Sequence, residues 1–99
     1  PTWTTPPRIL LVDDCILNRT ITERRLTLLG CIVDAVKDGV GAISRIDKND
    51  YDLIFMDIVM HRGDGISVTS LIRQFNHRIP IIAMTSASEP SDREIYLSS

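Results

Sequence analysis

The chain has 99 residues, of which 43% are hydrophobic and 24% charged, a balance typical of one compact globular domain. Its 11 basic and 13 acidic side chains leave a formal net charge of −2, which argues against a nucleic-acid-binding surface or a membrane-binding patch. No apolar run approaches the roughly 20 residues of a membrane-spanning helix. Cys15 and Cys31 predict neither a disulfide framework nor a zinc site, so we expect buried thiols in the reducing interior of a cell.

The chain opens with a proline-rich segment before the first apolar run. Residues 1–7 predict an extended leader or linker, with Trp3 in an unstructured tail. We expect one folded unit over residues 8–99. Residues 9–12 are apolar without alternation, which is typical of a strand buried on both faces of a parallel sheet.

The next apolar residues recur at helical spacing. Leu17, Ile21 and Leu28 predict an amphipathic helix that ends at Gly30 and places this apolar stripe in the core. The further predicted elements are, in chain order, a strand at 32–36, a helix around 42–46, a strand at 53–56 that ends on Asp57, a helix at 66–75, a strand at 79–84 and a helix from Pro90.

The last of these helices is predicted from its first-turn residues. Pro90 suits the first turn of a helix, and Asp92 and Glu94 suit its positively charged end. Four such β-α pairs with short connections predict an α/β fold, with parallel strands, right-handed crossovers and helices on both faces of an open sheet.

Oxygen-bearing side chains follow three of the four predicted strands. Asp13 and Asp14 come after the first, Asp57 after the third and Thr85 after the fourth. Singly, an aspartate after a strand is often only a helix cap or a turn former. In a flavodoxin-like, doubly wound parallel sheet of strand order 2-1-3-4, however, these four side chains meet at the carboxyl edge of the sheet, where ligands bind. Clustered carboxylates repel each other and suit Mg²⁺, beside which a carboxylate can attack phosphorus.

Several motifs together resemble the receiver domains of two-component signalling, in order and spacing across residues 8–99. These motifs are Leu11-Val12-Asp13-Asp14, Met56-Asp57-Ile58-Val59-Met60, Asp64-Gly65 and Ala83-Met84-Thr85-Ser86. Flanking pieces are similar to the receivers of fungal stress-response transcription factors, which join a heat-shock-factor-type DNA-binding domain to a receiver. These pieces are Pro6-Pro7-Arg8, Asp38-Gly39-Val40-Gly41-Ala42, Tyr51-Asp52-Leu53 and Ser70-Leu71-Ile72-Arg73-Gln74-Phe75.

The resemblance implies a Mg²⁺ site and a phosphoacceptor. Asp57 would accept a phosphoryl group from a histidine-phosphotransfer protein. Asp14, Asp57 and the backbone carbonyl of Val59 would bind the ion directly, and Asp13 would bind it through water. The resemblance implies no enzyme beyond self-catalysed phosphotransfer and autodephosphorylation.

The resemblance also implies a switch with a transcriptional output. The hydroxyl of Thr85 would reorient toward the phosphoryl group, and the backbone N–H groups of Val59 and Ser86 would complete the oxygen cradle. DNA would be bound only through a separate domain outside this chain, and the protein would act in the nucleus and the cytoplasm. Leu17 and Asn18 are candidates for docking the phosphotransfer partner.

The chain departs from the family pattern in two places. His61 stands where the family usually has proline, before Arg62-Gly63, and we interpret this as a tolerated loop variant. The sequence also stops at Ser99, before the family's fifth strand, active-site lysine and fifth helix. We therefore expect a C-terminally incomplete receiver with an uncovered sheet face and an open edge at the fourth strand, either of which can support a homodimer.

Three other functions remain open at this point. A pseudo-receiver would use the same fold as an interaction module without phosphorylation. An aspartate-nucleophile phosphohydrolase needs a second acidic residue two positions after the nucleophile, where Val59 stands. A nucleotide-binding protein needs a glycine-rich phosphate loop, and Gly39 and Gly41 lack the rest of that fingerprint.

Overall fold

The computed structural model describes residues 3–57, 65–75 and 78–84, together with the backbone of residues 94–97. Strands and helices alternate as predicted through the fourth strand. The elements are β1 (Arg8–Val12), α1 (Ile16–Leu28), β2 (Ile32–Val36), α2 (Gly39–Lys48), β3 (Leu53–Asp57), α3 (Gly65–Phe75), β4 (Ile81–Met84) and β5 (Glu94–Leu97).

The first four strands form a parallel sheet in the order β2-β1-β3-β4. Leu10 lies between Asp34 on β2 and Ile54 on β3, so β1 is a central strand. This confirms the α/β fold and the flavodoxin-like order 2-1-3-4. Among the described residues there is neither a fifth parallel strand nor a fifth helix, in agreement with the prediction that the sequence stops before these two elements of the family.

The end of the chain differs from the prediction. Residues 94–97 form β5, which pairs antiparallel with β4 through Glu94↔Met84 and Ile95↔Ala83. The prediction of a helix from Pro90 is therefore wrong at Glu94, and the prediction of an open edge at β4 is wrong as well. Ile95 and Tyr96 belong to the β-branched and aromatic residues that favour strands, and pairing satisfies the backbone groups along β4.

One face of the sheet carries the main hydrophobic core. The right-handed crossovers place α2 and α3 together on this face and α1 on the other, because the strand order reverses direction at β1. The core comprises Leu10, Val12, Ala42, Ile54, Met56, Val68, Ile72, Ile79 and Ile81, with Val36, Ile43, Ile46 and Tyr51 packed against it. Gly39 permits the close approach of α2 to α3, since a Cβ there would lie 2.7 Å from a methyl group of Val68.

The opposite face is covered differently. Leu11 on β1 is fully buried, yet no residue of α1 is buried. Leu17, Ile21 and Leu28 are 65%, 41% and 74% exposed, so the prediction that this stripe lies in the core is wrong. A periodic pattern identifies a helix and its apolar side, but it carries no information on what covers that side.

The ends of α1 are held by polar contacts. Gly30 adopts a φ of 91°, a left-handed conformation that ends the helix as predicted. Nearby, the Trp3 indole donates a hydrogen bond to the Leu29 carbonyl over 2.7 Å, so this side chain is not in an unstructured tail. Cys15 at the other end is exposed and Cys31 half-buried, which makes the prediction of buried thiols wrong.

Candidate metal site at the carboxyl edge of the sheet

The strand register brings three aspartates to one edge of the sheet. Val12 on β1 pairs with Met56 on the neighbouring parallel strand β3. The residues that follow this pair, Asp13 and Asp57, therefore emerge side by side at the carboxyl ends of the strands. Asp14 comes next on the β1 side, at the point where the strand order reverses.

Carboxylate oxygens of Asp13, Asp14 and Asp57 lie within 4.8 Å of one another. Asp13 is only 4% exposed and Asp57 8%, whereas Asp14 is half-buried. Buried carboxylates at this separation repel each other strongly, and a shared cation is the usual compensation. The structure thus brings together the three acidic residues that the sequence predicts to meet.

Asp13 is fixed by three hydrogen bonds to two elements, β2 and the start of α1. Its N–H donates to the Val36 carbonyl at the end of β2 over 3.1 Å. Its side-chain Oδ1 accepts a 2.9 Å hydrogen bond from the backbone N–H of Cys15, at the start of α1. Its carbonyl accepts a 2.8 Å hydrogen bond from Nη1 of Arg19. These contacts orient the loop that presents Asp13 and Asp14.

Arg19 is a contributor that the sequence analysis does not identify. It lies one turn into α1, and its backbone N–H bonds the Cys15 carbonyl over 2.8 Å. The signal that can find it is helical spacing, because a long side chain on the first turn points back over the N-terminal loop. A guanidinium on the carbonyl of Asp13 adds positive charge beside the acidic cluster.

The donor set fits Mg²⁺. Magnesium prefers carboxylate oxygens at about 2.0–2.1 Å, so oxygens on opposite sides of one ion lie about 4 Å apart. A spread of up to 4.8 Å therefore suits direct binding by two carboxylates and water-mediated binding by a third. The remaining residues predicted for the site, Val59, Thr85 and Ser86, lie outside the described residues, as does His61.

Comparison with known families identifies the chain. Residues 9–99 match the response regulator receiver domain family. The chain belongs to this family. Receivers are phosphoacceptor switches rather than conventional enzymes. In the described part of this receiver, every helix is too short or too polar to cross a membrane.

The receiver is similar to parts of fungal transcription factors. It is 45% identical over 94 residues to the transcription factor prr1 of Schizosaccharomyces pombe, covering 95% of this chain and 17% of the relative. It is 43% identical over 89 residues to the transcription factor SKN7 of Saccharomyces cerevisiae, covering 90% of this chain and 14% of the relative. The chain thus spans less than a fifth of either protein, and the similarity confirms the resemblance to fungal regulators.

Solved structures show the same fold. The response regulator TrrA of Thermotoga maritima, in complex with Mg²⁺ and BeF, is 32% identical with a TM-score of 0.77. The match covers 83% of this chain and 71% of TrrA. The α/β fold is therefore that of an established receiver.

Proposed function

We propose that this receiver accepts a phosphoryl group on Asp57 in a two-component phosphorelay and thereby switches a transcriptional stress response. The observation that carries the proposal is the meeting of Asp13, Asp14 and Asp57 within 4.8 Å at the carboxyl edge of the sheet. Membership of the receiver family and the similarity to two fungal transcription factors support it.

The proposed reaction is an in-line transfer to a carboxylate. An oxygen of Asp57 attacks the phosphorus of a phosphohistidine on a histidine-phosphotransfer protein. The new P–O bond forms as the P–N bond breaks, and the imidazole leaves as the neutral ring after it takes up a proton. Aspartate at this position is suitable because it is held on the end of a central strand and is nearly buried.

Asp14, Asp57 and the carbonyl of Val59 would hold Mg²⁺ directly, and Asp13 would hold it through water. The ion supplies positive charge for the phosphoryl oxygens and relieves repulsion among the carboxylates. The Arg19 contact to the Asp13 carbonyl keeps the loop in place for this role. The complex of TrrA with Mg²⁺ and BeF supports the assignment by similarity.

Thr85 and Ser86 would read the phosphoryl group. The Thr85 hydroxyl donates to a phosphoryl oxygen, and the N–H groups of Val59 and Ser86 stabilise the same oxygens. Reorientation of Thr85 shifts the loop that follows β4 and biases an existing two-state equilibrium. Hydrolysis of the acyl phosphate within the same site returns the receiver to its resting state.

The similarity to fungal transcription factors supports a proposal for the protein in which the switch works. We propose that residues 8–99 form the receiver unit and that residues 1–7 link it to a preceding part of a longer transcription factor. DNA binding then belongs to a separate domain, and the protein acts in the nucleus and the cytoplasm.

Phosphoryl incorporation from acetyl phosphate tests the proposal directly. The wild-type chain is expected to incorporate label only with Mg²⁺, and Asp57→Asn is expected to abolish incorporation. Asp14→Asn should weaken Mg²⁺ binding by at least about tenfold, the loss that even outer-shell partners cause. Asp50→Asn is the matched control, because Asp50 is exposed and lies outside the acidic cluster.

Labelling that persists in Asp57→Asn would assign the phosphoacceptor to another residue. No labelling, by acetyl phosphate or by a phosphorylated histidine-phosphotransfer protein, of both this chain and one extended past Ser99 would instead identify a pseudo-receiver that acts as an interaction module. Intact circular dichroism spectra of the variants keep these outcomes distinct from a folding defect.

A further inference from the structure

The outer edge of β2 presents backbone groups that no strand pairs with in the described part of the chain. The Ile32 N–H bonds the Pro7 carbonyl and the Val36 carbonyl accepts from Asp13, so even-numbered residues face β1. Because alternate residues of a strand direct their N–H and C=O groups to opposite sides, Ala35 faces outward. The N–H of Lys37, just after the strand, also points outward, because it shares a planar peptide unit with the inward Val36 carbonyl. An edge of this kind is a template for another extended chain.

A cavity of about 390 Å³ lies beside this edge, between α1 and α2. Ala35 and Lys37 contribute the strand side of the cavity, Arg19 the α1 side, and Ser44 and Arg45 the α2 side. We call this space the basic groove. Its walls come from three elements, so it is built by the fold rather than by one flexible loop.

The groove is positive in a chain that is negative as a whole. Arg19, Lys37 and Arg45 line it, and none of them forms an ion pair with any residue that the structure describes. The acidic residue in its wall, Asp38, uses Oδ1 to accept a 2.8 Å hydrogen bond from the Gly41 N–H at the start of α2. Since the formal net charge of the chain is −2, attraction of an anion here must come from the groove itself.

The two arginines flank the edge from opposite sides. Arg19 belongs to α1 and Arg45 to α2, and these helices cover opposite faces of the sheet. In a strand added to the edge of β2, successive side chains would point to opposite faces. Two neighbouring acidic side chains of the added strand can therefore reach Arg19 and Arg45 at the same time. Lys37, just after β2, adds a third positive charge to the same edge.

We propose that the outer edge of β2 binds an acidic, extended segment of a partner protein as an added strand. Main-chain hydrogen bonds to Ala35 and Lys37 supply the docking geometry, and adjacent acidic side chains supply selectivity through the arginines. A basic or neutral segment is rejected, because the lysine and the two arginines repel or fail to attract it. Apart from Arg19, which also binds the Asp13 carbonyl, the residues of this surface lie outside the acidic cluster.

A fluorescent peptide made of repeated Glu-Glu-Val units is the probe, with anisotropy measured at physiological ionic strength. Binding is expected to slow hydrogen exchange of the outward N–H groups of Ala35 and Lys37. Lys37→Glu combined with Arg45→Glu is expected to weaken binding by about tenfold or more, since two favourable exposed pairs become repulsive.

The matched control is Arg25→Glu combined with Arg78→Glu, which makes the same change in charge on exposed residues outside the groove. At a Debye length of about 8 Å, this variant should bind within about twofold of wild type. A second probe carries N-methyl groups at alternate backbone positions, which remove its ladder donors, and it should bind much more weakly than the parent peptide.

Three results would overturn the proposal: absence of binding, equal weakening in the two charge-reversal variants, or equal binding of the N-methylated peptide. A competition experiment with inorganic phosphate tests whether the groove binds any small anion. Complete displacement of the peptide by millimolar phosphate would replace the proposed strand site with a small-anion site. Circular dichroism of each variant confirms that the fold is retained.

Discussion

The two faces of the sheet are covered by helices to very different extents. On one face, α2 and α3 bury Ala42, Val68 and Ile72 against the strands. On the other face, α1 buries none of its own residues. Hydrophobic stabilisation therefore depends mainly on the α2–α3 face, since it grows with the apolar area removed from water.

Polar contacts near its two ends add to the partial packing of α1 on the sheet. The Arg19 guanidinium binds the Asp13 carbonyl at one end, and the Trp3 indole binds the Leu29 carbonyl at the other. Single hydrogen bonds of this kind contribute about 0.5–1.5 kcal/mol each. The element next to the acidic cluster therefore buries none of its own residues fully and depends in part on a few directional contacts.

The largest expected effect on the free energy of unfolding comes from replacing isoleucine by alanine on each of the two faces of the sheet. Ile72→Ala on α3 should lower the free energy of unfolding by about 2–5 kcal/mol, because it opens a cavity in the core. Ile21→Ala on α1 should lower it by less than about 1 kcal/mol, because Ile21 already contacts water. Urea denaturation measures both values, and an unchanged m-value shows that the unfolded state is comparable.

An equal loss for the two isoleucine variants would contradict the comparison. It would mean that the α1 face is covered in solution by a second molecule. A dilution series distinguishes that case, since stability that depends on association falls as the protein concentration falls.

A smaller effect is expected at the start of α2. The Asp38 side chain accepts a hydrogen bond from Gly41, whereas Cys15 makes no side-chain cap at the start of α1. Asp38→Ala should lower the free energy of unfolding by about 0.5–2 kcal/mol through loss of the cap. Asp47→Ala, at an exposed position of the same helix, should stay within about 0.5 kcal/mol of wild type.

The effect that is smallest at neutral pH concerns Tyr51, which packs against the core of the α2–α3 face. Burial raises the pKa of Tyr51 from 10.0 to about 12, with further contributions from the hydrogen bond to Asp34 and from that carboxylate's charge. Because the folded state favours the protonated phenol, its stabilisation is complete below pH 10 and is lost as pH rises through 12.

Phenolate absorbance measures this pKa in Tyr96→Phe, where Tyr51 is the remaining tyrosine of the two. Tyr51→Phe should remove the corresponding loss of stability in alkali. If Tyr51 titrates at the ordinary tyrosine pKa in the Tyr96→Phe variant, its phenol is exposed to water and does not form the hydrogen bond to Asp34.

Much of the fold can be predicted from the sequence, because a strand that is buried on both faces has a short, continuous apolar run. Residues 9–12 and 53–56 are such runs, and each stops at an aspartate. Once their parallel pairing is assumed, the meeting of Asp13 with Asp57 follows from register alone. The acidic cluster is therefore predictable from the sequence alone.

Other features depend on tertiary contacts that local patterns do not encode. The exposure of Leu17 and Leu28 depends on what covers α1, and the pairing of β5 with β4 outweighs the local helix signal at Pro90. Helical spacing indicates that Arg19 points back over the loop before α1, but the backbone carbonyl that it binds has no signature in the sequence.

The parallel pairing of β1 with β3 has a consequence for how the acidic site is maintained. Asp13 and Asp57 are distant along the chain and become neighbours only when a long loop closes. No local segment retains a partial version of the site, so any opening that separates these two strands disperses its ligands. Proteolysis or chaperone capture of such an opened chain would therefore remove the acidic site and the native structure in one event.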